Sequence, residues 1–193
     1  MLDFSELAPE GPRLLTRLEF EKLGQTDLFD EDERIELLRG VMVRMTPPVP
    51  SPRHDAAIQR LTRLLVMAFG ERAWVRVCAA FAATDDSETI PDLAVIPLGD
   101  YEREFPQGAH LLIEVAVTSL RKDRRIKASI YAEGDVAEYW IVDVDGRAIE
   151  VHRDPRAGVF TDVRRYVHGD VIRPVRFPEI AIAVGDVLAP VPA

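Results

Sequence analysis

Residues 110–117, His110-Leu-Leu-Ile-Glu-Val-Ala-Val117, form an aliphatic run with one carboxylate at its centre. A short continuous apolar run of this kind reads as a strand buried on both faces. Glu114 is the anomaly in it. A carboxylate there costs on the order of several kcal/mol unless it is paired, hydrogen-bonded or metal-bound. The preceding run, Ile90-Pro-Asp-Leu-Ala-Val-Ile96, is a second buried strand, opened by Pro91 and Asp92. Two carboxylates on consecutive strands can converge on one cation. Oxygen ligands suit Mg²⁺, which keeps several waters and needs few protein groups. Taken singly, each has a plainer reading: Asp92 caps a turn, and Glu114 pairs with a basic neighbour.

Residues 118–133 read as a helix, capped by Thr118 or Ser119 and ended by Gly134. Its first turns carry Arg121-Lys-Asp-Arg-Arg-Ile-Lys127, five basic side chains and one acidic. Asp123, Lys127 and Tyr131 share a stripe at i, i+4 and i+8, beside an apolar stripe of Ile126 and Ile130. Lys127 is therefore expected at the edge of the buried face, its stem long enough to reach the sheet. The plainer reading is a solvated lysine beside Asp123.

Working outward, residues 53–69 are a helix with Ala57, Ile58, Leu61, Leu64, Leu65 and Ala68 at helical spacing, stopped by Gly70. Residues 74–83 read as one strand and 84–89 as a polar turn. Strands follow at 137–142 and 147–152 around a turn, then near 159–166 and 180–184. Upstream, Thr16 and Glu19 form a capping box for a short helix ending near Gly24. Residues 34–45 form a hairpin about Arg39-Gly40, with Ile35 and Leu37 on one face and Glu36 on the other. Between hairpin and helix, Thr46-Pro-Pro-Val-Pro-Ser-Pro52 is a rigid connector. The core order is helix, strand, strand, strand, helix, strand. That is an α+β (α/β) architecture on a mixed sheet. One domain over 1–193 is expected: an N-terminal part (1–52), a core (53–145) and appended β elements (146–193).

The 193 residues are 47% hydrophobic and 30% charged, the balance of a folded globular chain. No apolar run is long enough to span a membrane, and the N-terminus has no secretory pattern. One cysteine, Cys78, allows neither an internal disulfide nor a cysteine zinc site, so the cytoplasm is the expected compartment. The net charge is -9, against a broad basic nucleic-acid surface. It is unevenly spread: residues 1–36 carry 11 acidic and 4 basic side chains. This acidic part is expected to lie away from the basic helix. No glycine-rich phosphate loop, nucleophile elbow or His-x-x-x-His pair occurs. His110, His152 and His168 read as structural or solvated, and Trp74, Tyr139 and Trp140 as core or interface residues.

Seven blocks in order carry a resemblance: Arg34-Ile-Glu-Leu-Leu-Arg-Gly40, Met45-Thr-Pro-Pro, Arg53-His54, Ile90–Ile96, Leu112-Ile-Glu-Val-Ala-Val-Thr-Ser119, Asp123-Arg-Arg-Ile-Lys127 with Tyr131-Ala, and Glu138-Tyr-Trp-Ile-Val-Asp143. Over roughly residues 15–185 the chain resembles the Uma-two family, described as restriction endonucleases and similar to the PD-(D/E)XK nuclease superfamily. The resemblance implies a restriction-endonuclease-like core, α-β-β-β-α-β, and Mg²⁺-dependent hydrolysis of DNA phosphodiesters, with Mn²⁺ able to substitute. It implies Asp92 and Glu114 as metal ligands, Lys127 as the catalytic lysine moved to the helix, and Glu36 as a further catalytic ligand or orienter. His54 matches a histidine without a defined role. Arg121, Lys122, Arg124 and Arg125 are the expected nucleic-acid contacts, and a homodimer is the expected assembly. Two departures stand out. Ala116 occupies the superfamily's strand-lysine position, and Cys78 stands where relatives often carry a polar residue. The alternative function is a catalytically weak or inactive member acting as a dimeric nucleic-acid-binding or regulatory protein.

Overall fold

The computed structural model describes residues 10–30, 33–45 and 51–188. At its centre are β6 (Leu93–Ile96) and β7 (Leu111–Ala116), antiparallel and buried along their whole lengths. They belong to a six-stranded sheet of order β10-β9-β8-β7-β6-β3. In it, β7 runs parallel to β8 (Glu138–Asp143), and the other neighbours are antiparallel.

The two-residue period of these strands sorts their side chains into two cores. Leu93, Val95, Ile113 and Val115 pack on one face with Ala57, Leu61, Leu65 and Phe69 of α2 (Pro52–Phe69). Ala94, Ile96, Leu112 and Ala116 pack on the other face. Leu93 pairs with Ile113, so one step further along the antiparallel ladder Asp92 stands opposite Glu114. Both carboxylates thus belong to the second face.

The helix α2 is capped by Ser51, and Pro52 takes its first turn, where a missing N–H costs nothing. Pro52 therefore starts the helix and is not part of a connector; residues 46–50 lie outside the described residues. Gly70 ends the helix with φ 53. The predicted capping box is present, with Thr16 and Glu19 opening α1 (Arg17–Gly24). The hairpin is also present, as β1 (Ile35–Leu38) and β2 (Val41–Arg44).

Two expectations are corrected. The apolar stretch 74–83 is two strands in two sheets. β3 (Trp74–Val77) edges the large sheet, the chain turns at Cys78 with φ 48, and β4 (Phe81–Thr84) enters a four-stranded sheet of order β2-β1-β5-β4. The polar segment 84–89 is not only a turn: Ser87–Thr89 form β5, fully buried between β1 and β4. Leu38, Phe81 and Ala83 of the small sheet join Ala94, Ile96 and Leu112 in one core with Ile130 and Tyr131.

The helix after β7 is irregular. It comprises α3 (Leu120–Lys122), a π turn over Asp123–Lys127 and α4 (Ala128–Glu133). The Ala128 N–H reaches back five residues to the Asp123 carbonyl. This wider turn shifts the phase, so Ile126 is 42% exposed while Asp123, Lys127 and Tyr131 are sealed. The polar stripe is the inward one. Ser119 makes no side-chain cap; its hydroxyl donates to Asp123 Oδ2 at 2.5 Å.

Downstream, β9 (Ala148–Arg156) and β10 (Val159–Val167) extend the large sheet, while β11 (Val171–Ile172) and β12 (Ile182–Ala183) form a small ladder before α5 (Val184–Val187). Tyr139 and Trp140 are fully buried, whereas Trp74 is exposed on the edge strand. Among the described residues no helix is long and apolar enough to cross a membrane.

Candidate active site

The second face of the large sheet meets the small sheet and the π turn, and ionisable side chains collect where they join. Glu114 comes from β7, Glu36 from β1, and Lys127 from the π turn. The Lys127 ammonium lies 2.7 Å from Glu114 Oε1 and 2.8 Å from Glu36 Oε1. All three are buried. Tyr131, one turn on, donates from its hydroxyl to Glu114 Oε1 at 3.0 Å, and that hydroxyl also lies 3.1 Å from Thr89 Oγ1. The Ile90 N–H donates to Glu36 at 2.9 Å, and Lys122 approaches its other oxygen at 3.3 Å.

Asp92 sits at the rim. Its Oδ2 accepts the Val115 N–H at 2.7 Å and lies 3.7 Å from His54 Nε2. His54 reaches it from the first turn of α2, its Nδ1 held 3.2 Å from Asp55. Asp123, the first residue of the π turn, has its Oδ1 buried and without a hydrogen-bond partner.

The electrostatics follow from burial. Burial pushes the Glu114 carboxyl up to about 8 against the pull of Lys127, with Asp92, Asp123 and Glu36 adding to the rise. Burial opposes the Lys127 charge too, but Glu114 and Glu36 hold it well above the ordinary lysine range. Glu36 also loses solvation, yet Lys127 and Lys122 keep it below its usual value. Asp92 beside His54 raises that imidazole to about 9. Burial raises Asp123 despite its hydrogen bond from Ser119.

The arrangement fits a hydrated divalent cation by its donor chemistry. The described hydrogen bonds engage Glu114 Oε1 and Asp92 Oδ2; among the described residues none engages the second oxygen of either carboxylate. Mg²⁺ is bound through one or two carboxylates and keeps its waters, and Asp92 and Glu114 are the carboxylates that would hold it. A dedicated cage is absent: among the described residues no three His, Cys, Asp or Glu side chains are grouped to hold a metal.

The profile of a family named Uma2 and described as "Putative restriction endonuclease" matches residues 18–185. The chain belongs to this family. A solved structure, that of "a putative nuclease belonging to DUF820" from Anabaena variabilis, superposes with a TM-score of 0.70 at 19% identity. The match covers 91% of this chain and 98% of that one. No curated protein matches. The restriction-endonuclease-like fold expected from the Uma2 resemblance is the observed fold.

Of the residues singled out from sequence, Glu36, Glu114 and Lys127 form one network, with Asp92 and His54 beside it. The basic residues divide. Lys122 turns inward to Glu36, and Arg124 pairs with Glu150 of β9. Arg121 and Arg125 are exposed, one helical turn apart. Sequence reasoning missed Thr89, because β5 reads as a turn, and missed the inward orientation of Tyr131 and Asp123. The signal for those two was the stripe itself: a polar i, i+4, i+8 row shared with Lys127.

Proposed function

We propose that this Uma2 protein is a Mg²⁺-dependent endonuclease of the PD-(D/E)XK type that hydrolyses DNA phosphodiester bonds. The observation that carries the proposal is the buried Lys127 bridging Glu36 and Glu114 beside Asp92, on one face of the sheet. Asp92, Glu114, Glu36 and Asp123 face Lys122, Lys127 and the His54 imidazole, four carboxyl groups against three cationic ones.

Asp92 and Glu114 would hold the metal, with Mn²⁺ an acceptable substitute. Bound there, Mg²⁺ supplies Lewis acidity to the phosphate and lowers the pKa of a water. Tyr131 and Lys127 fix the Glu114 carboxylate from one side, leaving its second oxygen for the ligand. Lys127 keeps a permanent positive charge in a low-dielectric site, where it stabilises charge developing on the phosphate. Glu36, locked by the Ile90 N–H and Lys122, positions that ammonium. Arg121 and Arg125 give a local positive surface for the DNA backbone on an otherwise acidic cytoplasmic protein. Cleavage of both strands calls for two such sites, and we assign the second to a second copy in a homodimer.

The test is supercoiled plasmid with Mg²⁺ or with EDTA. The expected outcome is nicked and then linear DNA in Mg²⁺ alone, with Asp92→Asn and Glu114→Gln each slower by about a hundredfold or more. A second reading is a regulatory member that binds without cutting. It is favoured by the Lys127 and Tyr131 hydrogen bonds that already occupy Glu114 Oε1, and its signature is duplex binding with no cleavage.

A further inference from the structure

On the far side of the small sheet lies a cavity of about 580 Å³, between α1, β1, β5 and the 101–107 loop. That volume suits a small organic ligand. Alternation along the strands separates it from the candidate active site: Thr89 and Glu36 serve the Glu114 network, while their neighbours Glu88 and Ile35 line the cavity. Phe20, Phe29, Tyr101 and Phe105 give it aromatic walls.

The charge of the lining is unbalanced. Glu21, Glu33, Glu88, Glu102 and Glu104 face Arg17 and Arg103. Arg17 is taken up by Glu21, and Glu33 by Arg44. Glu88 is left. It is only 8% exposed, and its Oε2 is buried with no hydrogen-bond partner. An unsatisfied buried carboxylate oxygen is rare and calls for an explanation.

We propose that this cleft binds a small organic cation, a primary ammonium on an apolar stem, with the ammonium on Glu88 and the stem among Phe20, Phe29 and Tyr101. An ammonium brings hydrogen-bond donors and a charge to a buried carboxylate that is short of both. The aromatic walls accept both the stem and the positive end. Burial and the nearby Glu21, with which it shares a hydrogen bond, push Glu88 up to about 7 against the pull of Arg17. A metal ion would leave the aromatic walls unused, whereas an amine on an apolar stem engages both parts of the cleft.

The experiment is isothermal titration of the full chain at about pH 8 with 2-phenylethylamine and with its neutral isostere 2-phenylethanol. It reads binding alone, so its result is independent of any cleavage. The amine is expected to bind at least about tenfold tighter than the alcohol. Glu88→Gln, which keeps the shape, should bring that ratio to within about twofold. Phe29→Ala, at the half-buried wall, should weaken both ligands and keep the ratio. Equal binding of the two ligands, no binding of the amine, or a ratio that survives Glu88→Gln overturns the proposal.

Discussion

Removing the Lys127 ammonium leaves Glu36 and Glu114 buried without their common counter-charge. Breaking a buried pair in this way costs about 3–5 kcal/mol. Lys127→Met should lower the unfolding free energy by that order in urea denaturation; an unchanged midpoint would mean that the network is not closed in solution. His54 gives a residue-scale test with a pH axis. Its folded value of about 9, set by Asp92 beside it, exceeds the ordinary 6.5. The stabilising contribution is therefore complete below about 6.5 and is lost as pH rises through about 9. The His54 ring protons followed by NMR should titrate near 9, and Asp92→Asn should move the midpoint down toward 6.5. A native midpoint already near 6.5 would separate the two side chains. At this scale the sequence was most legible where a residue contradicts its surroundings. Glu114 stands out in an aliphatic strand, whereas the immediate neighbours of Asp123 are basic, and only the stripe it shares with Lys127 and Tyr131 signals its inward face.

Among the elements, α4 depends on how closely it approaches β4. Gly134 ends the helix, and a Cβ placed there would collide with the Ala83 carbonyl oxygen. Backbone cannot give way as a flexible side chain can. Gly134→Ala should therefore destabilise the fold by about 1–3 kcal/mol, read by chemical denaturation. Wild-type stability would show that α4 can back away from the small sheet. Nothing in the apolar run 74–83 announces that it changes sheets at Cys78, because both halves are strand-like and only the left-handed backbone at that residue divides them. Ser87-Glu-Thr89 looks like turn chemistry, yet it lies between β1 and β4, where Ser87 and Thr89 find hydrogen-bond partners in Arg39, Asp86 and Tyr131. The π turn is likewise invisible to a 3.6-residue template, which places Ile126 inside and Lys127 at the edge. Elements set by strong local signals, such as the Thr16–Glu19 capping box and the Gly70 stop, were readable as they stand.

For the whole molecule, most of the paired carboxylates described within the first 36 residues are taken up by arginines outside the basic helix. Glu19, Glu21 and Glu33 pair with Arg13, Arg17 and Arg44, and Glu21 of α1 lines one cavity with the 101–107 loop. Among the described residues of that segment, Glu36 reaches the basic helix, where it engages Lys122 and Lys127. An acidic chain can in this way keep a local cationic surface at Arg121 and Arg125. The order of strands and helices was legible because each core element carries its own apolar period. The joining of two sheets over one buried charge network was not, because it depends on contacts distant in sequence. The central claim is that Asp92 and Glu114 share one divalent cation. A crystal of the full chain soaked in Mn²⁺ tests it most directly. The account predicts an anomalous peak within coordinating distance of one oxygen of each carboxylate, lost in Asp92→Asn. Mn²⁺ bound only elsewhere, with these two carboxylates bare, would contradict it.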